Sequence, residues 1–87
     1  MNNSDFSTIL KKLRIEKGIT QAGLAAILQI SQKTVAHLEN DYRKPSYELL
    51  ISIANYYSVS LDYLCGRSND PAIHQLEQTE RAEIGIN

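Results

Sequence analysis

Gln32, Lys33, Ala36 and His37 are the residues of this chain whose types and spacing could do chemistry. At about 100° per residue they fall, with Asn40, within an arc of roughly 140° on a helix, while Ser31, Thr34, Val35 and Leu38 fall on the other side. The arc offers a carboxamide that gives and accepts hydrogen bonds, an ammonium that only gives, an imidazole that does either, and a methyl group small enough for close approach. Such a set suits recognition of a flat polar edge. Catalysis has no comparable set: there is no carboxylate pair, no Cys–His arrangement and no Gly-rich phosphate loop, and the two histidines have no recognisable partner spacing. We therefore expect no enzyme and no cofactor. The single cysteine, Cys65, leaves no intramolecular disulfide and no metal-ligand cluster.

The elements that must hold the arc are short helices. Thr20 can cap a helix with Leu24, Ala25 and Leu28 on one face, and Ser31 can cap the next, whose Val35 and Leu38 pack back against it. Upstream, Ser4 or Asp5 can cap a helix in which Phe6, Ile9, Leu10 and Leu13 form a stripe and Gly18 ends it. Downstream, Pro45 biases Lys44 out of the helical region, so residues 42–45 read as a loop. Ser46 then caps a helix with Leu49, Leu50, Ile53, Ala54 and Tyr57 inward. Ser58 and Val59 interrupt it, and Ser60 caps a short last helix with Leu61 and Leu64 inward and Gly66 as its stop. The fold class expected is all-α: a compact five-helix domain over residues 1–66, followed by an acidic tail, 67–87. In the tail, Asn69 or Asp70 before Pro71 and a later Gly85 bracket a further helix that either docks or frays, because its apolar face is weak.

Eighty-seven residues make one small domain. No apolar stretch is long enough to span a membrane and no export leader is visible, so a cytoplasmic location is expected. The net charge of −1 conceals an uneven distribution. From residue 11 to 44, seven cations face three anions; from 67 to 87, two cations face four anions. The first segment is a basic patch, which a nucleic-acid backbone would attract.

The chain resembles the Cro and phage-repressor, or Xre-type, helix-turn-helix regulators. The resemblance lies in Arg14, then Gly18-Ile19-Thr20-Gln21, Leu24-Ala25, Ser31, Val35, Leu38-Glu39-Asn40 and the basic Arg43-Lys44-Pro45. Ile53-Ala54, the run from Val59 to Leu64, and Gly66 continue it, so that it covers roughly residues 6 to 66. Departures are Gln29 and Asp41, where the family usually has Gly, and Gly23, where it usually has a charged residue. A non-Gly residue at positive φ costs on the order of 1 kcal/mol. Neither turn should break.

The resemblance implies a repressor-like DNA-binding domain in which Arg14 pairs with Glu39, against the alternative of two separate solvated charges. It implies that helix 32–40 enters the major groove, where every base pair shows a distinct donor and acceptor pattern. Gln32, Lys33, Ala36 and His37 are then the base contacts. Gln32 suits adenine; Lys33 suits guanine or, equally, a phosphate; Ala36 suits a thymine methyl; His37 suits a base, a phosphate or neither. Thr20, Gln21, Ser31, Asn40, Tyr42, Arg43 and Lys44 are the expected DNA-backbone contacts, with plain capping (Thr20, Ser31) and a solvated loop (Arg43, Lys44) as alternatives. The implied function is a sequence-specific, bacterial or phage-borne transcription regulator, expected to be a repressor. It would bind double-stranded DNA as a homodimer on a palindromic operator with half-sites about 34 Å apart. Dimerisation candidates are Tyr63, Ile73 and Leu76. Glu77, Glu80 and Glu83 motivate a second reading, an antitoxin-like or anti-repressor module whose tail binds a protein partner.

Overall fold

The computed structural model describes residues 5–72. Within them lie α1 (Phe6–Lys17), α2 (Gln21–Leu28), α3 (Gln32–Glu39), α4 (Tyr47–Tyr57) and α5 (Leu61–Leu64), with no strand. The architecture is all-α. Every helix begins where a short polar side chain can take up a free backbone N–H group. Asp5, Thr20, Ser31, Ser46 and Ser60 accept from the N–H three residues on, that is Thr8, Gly23, Thr34, Leu49 and Tyr63, at 2.9–3.1 Å. Of the two residues proposed to start α1, Asp5 is the cap. Its bonds to Thr8 hold the carboxyl below the usual aspartate range.

Helix ends turn on left-handed residues. Gly18 (φ 76°), Gln29 (φ 61°) and Ser58 (φ 56°) each return an N–H to the last turn of the preceding helix. Gln29 and Asp41 (φ 61°) thus adopt the strained geometry that their places in the sequence imply. At Gly23 a Cβ would stand 3.3 Å from the Thr20 hydroxyl that caps the helix, a tight contact that glycine avoids.

The core is a single cluster. Leu10, Leu24, Val35, Leu38, Ile53 and Leu64 are fully buried, with Ile9, Ala25, Ala54 and Val59 beside them. Helix α3 packs against both α1 and α2, while α5 closes against α4 and α1. Val59, which interrupts the helices as expected, is also part of this core. Leu61 corrects an expectation: it is 36% exposed, because the single turn of α5 directs Leu64 and Tyr63 to the core and leaves its first residue at the edge. Ser7, three residues before Leu10 on the same side of α1, is buried with it.

After α5 the chain folds back, and Ser60 N donates to the Pro71 carbonyl at 2.9 Å. The tail helix and the acidic row Glu77, Glu80 and Glu83 lie outside the described residues. No helix among those described is long and apolar enough to cross a membrane.

Candidate nucleic-acid interface

Helix α3 starts one residue after Ser31, which accepts from Thr34 N at 3.0 Å and shares a 2.8 Å hydrogen bond with the Thr34 hydroxyl. That double tie fixes the first turn. Val35, Leu38 and Glu39 are buried, so the opposite face must look outward. Gln32 and Lys33 are exposed at the start of the helix, and neither bonds to any described part of the protein. Ala36 and His37 are half-buried one turn further on. The four side chains of the sequence-derived arc therefore share a face, graded from fully presented to partly sheltered.

A buried polar network sets the angle at which that face is offered. Arg14 Nε donates to Glu39 Oε2 at 2.6 Å and Nη2 to Oε1 at 3.2 Å, with the Arg14 and Glu39 side chains 13% and 2% exposed. The third guanidinium nitrogen, Nη1, donates to the Ile19 carbonyl at 2.9 Å, and Gln21 Nε2 donates to Glu39 Oε1 at 3.1 Å. Three elements meet at one carboxylate: the last turn of α1, the start of α2 and the end of α3. The bond to Glu39 holds the guanidinium even more firmly protonated than usual. Because both ions lose water, the network contributes more to orientation than to net stability. Beside it, the Tyr57 hydroxyl is buried with no described partner, and burial, reinforced by Tyr56, pushes its pKa up to about 12.

Apart from Ser31, exposed at the cap of α3, the expected backbone-contact residues fall into two groups. At the start of α2, Thr20 is exposed and Gln21 half-buried. The free N–H groups and positive end of the helix dipole suit an anion there. After α3, Asn40, Tyr42, Arg43 and Lys44 are exposed. Lys44 Nζ sits 3.2 Å from Asp41 Oδ1, a surface pair that loosely tethers it, whereas Arg43 has no described partner. Tyr63 is half-buried and packs against the core; Ile73 and Leu76 lie outside the described residues.

The helix-turn-helix family model HTH_3 matches residues 10–64. The chain belongs to that helix-turn-helix family. Two relatives from Bacillus subtilis carry related names. The uncharacterized HTH-type transcriptional regulator YqaE is 44% identical over 66 residues, 75% of this chain and 57% of the relative. The HTH-type transcriptional regulator ImmR is 40% identical over 58 residues, 67% and 46% of the two. This helix-turn-helix chain thus spans about half the length of these curated relatives. Among solved structures, a transcriptional regulator from Listeria innocua superposes with TM-score 0.71 at 25% identity, over 95% of this chain and 78% of that one. The P22 c2 repressor, crystallised with a synthetic operator, superposes with TM-score 0.69 at 22% identity, over 74% and 97%. Both share the helix-turn-helix fold seen here.

Sequence reasoning missed several contacts. Gln21 was expected at a phosphate but not at Glu39, because a bond across 18 residues leaves no local signal. The Asp41–Lys44 pair and an edge-to-face contact between His37 and Tyr42 are local, and both follow from the turn that ends α3.

Proposed function

We propose that this chain is a sequence-specific DNA-binding transcription regulator, acting as a repressor where its operator overlaps a promoter. The observation that carries the reading is the exposed pair Gln32 and Lys33 at the leading end of α3, their side chains unbonded to any described residue, on a helix whose other face is locked by Glu39. In helix-turn-helix proteins this end of the second helix meets the base edges. Gln32 would read an adenine, Lys33 a guanine or a phosphate, Ala36 a thymine methyl and His37 a further base. Thr20, Gln21, Ser31, Asn40, Tyr42, Arg43 and Lys44 would hold the phosphates on either side. Two supports are the family assignment and the likeness to a repressor crystallised with operator DNA.

One such helix reads only a few base pairs. The reading therefore includes a twofold dimer on a palindromic operator, half-sites about 34 Å apart, with Tyr63, Ile73 and Leu76 as interface candidates, and a cytoplasmic site of action. Selection of binding sites from random duplex DNA tests sequence reading and twofold binding together. A palindromic consensus with that spacing is the expected product; enrichment of no sequence from a folded protein would refute the reading.

A further inference from the structure

The turn that ends α3 does more than stop the helix. Asn40 closes it, Asp41 takes φ 61°, and the next N–H, that of Tyr42, donates back to the His37 carbonyl at 2.8 Å, while Asp41 N reaches Leu38 O at 3.3 Å. A six-to-one bond of this kind, with a left-handed residue inside it, brings the side chain after the turn over the last-but-two residue of the helix. Here those two side chains are aromatic. The Tyr42 and His37 rings meet with centroids 5.8 Å apart at 60°, an edge-to-face arrangement. Tyr42 is 78% exposed and His37 is half-buried.

We propose that Tyr42 is a positioning residue for base recognition: its ring fixes the orientation of the His37 imidazole, so that specificity at the base pair under His37 depends on a residue that does not touch the base. This rests on the reading of α3 as the groove-entering helix. An unsupported imidazole samples several rotamers and presents its ring nitrogens in different directions. One held from the side presents them in one direction, and less freedom is lost on binding. Gln32 and Lys33 lack any such support, so His37 is the one member of the arc that the described structure pre-orients.

The test uses the full chain and four variants: Tyr42→Ala, Tyr42→Phe, His37→Ala and the Tyr42→Ala, His37→Ala double. Without DNA, proton NMR of the His37 ring should show resonances that move in Tyr42→Ala, where the ring current is lost, and stay in Tyr42→Phe. With DNA, affinities are measured for duplexes that vary the selected site one base pair at a time. His37→Ala should flatten the preference at one step. Tyr42→Ala should weaken preference at that same step by roughly three- to tenfold, the value of an aromatic pair expressed as a ratio. Tyr42→Phe should retain it, and the double variant should be no worse there than His37→Ala. Thermal midpoints of the variants, expected near that of the parent because Tyr42 is so exposed, exclude a folding defect. If Tyr42→Ala leaves the preference at the His37 step unchanged, whatever uniform loss it causes through a lost phosphate contact, if its effect on that preference adds fully to that of His37→Ala, or if His37→Ala changes no step, the proposal fails. A parent protein with no preferred site at all would overturn the reading of α3 first, and the proposal with it.

Discussion

Replacing Glu39 by Gln keeps the shape of the side chain and removes its charge, which isolates what the buried carboxylate does. Glu39 accepts three donors, two from Arg14 and one from Gln21, with its side chain only 2% exposed. Breaking a buried pair by removing one partner typically costs about 3–5 kcal/mol, because a charge is left without a counter-ion. The low end applies here: Arg14 keeps the Ile19 carbonyl and its side chain is 13% exposed, so water reaches part of it. The expected loss is about 3 kcal/mol, a large share of the roughly 5–15 kcal/mol that holds a small domain folded. In thermal terms that is a fall of about 12–24 °C. Urea unfolding followed by circular dichroism measures it directly. Substituting both partners, Arg14→Met with Glu39→Met, should restore most of the loss, since two apolar side chains of similar volume need no mutual neutralisation. A Glu39→Gln cost below about 1 kcal/mol would mean that the pair is screened like a surface one. A double variant as unstable as the single would show that its packing, and not its charge, matters; either result refutes the reasoning.

Three further outcomes follow from single residues. Gln29→Gly should raise stability by about 1 kcal/mol in the same urea assay, because an exposed glutamine at φ 61° is strained and loses few contacts. Tyr57→Phe should be neutral or stabilising by up to about 1 kcal/mol, since it removes a buried hydroxyl with no described partner. The phenol ionises at about 10 unfolded and about 12 folded, so folding favours its neutral form. Parental stability should therefore decline as pH rises from 10 towards 12, and Tyr57→Phe should flatten that decline. Arg43→Ala should weaken binding to cognate and random duplex alike and reduce the slope of log affinity against log salt by about 1.

The helix starts were legible because each cap is a local event: one hydroxyl or carboxylate and an N–H three residues on. Arg14–Glu39 was legible only through the resemblance, for nothing local links residues 25 apart. Leu61 misled because apolar spacing does not say which side of a one-turn helix meets the core, and Tyr63 and Leu64 take that side. The His37–Tyr42 contact was within reach. Asp41 stands where the family usually has Gly, and a left-handed residue there dictates which side chains the turn brings together.

The central claim is that α3 reads base pairs through its exposed leading end. Its most direct test is the ratio of affinities for the selected site and for random duplex, measured at one fixed salt concentration, in the parent and in Gln32→Ala. Loss of a good amide–adenine contact is worth about 1–3 kcal/mol, so the ratio should fall roughly 5- to 150-fold, almost wholly through the selected site. An unchanged ratio, with both affinities lowered together or not at all, would contradict the account.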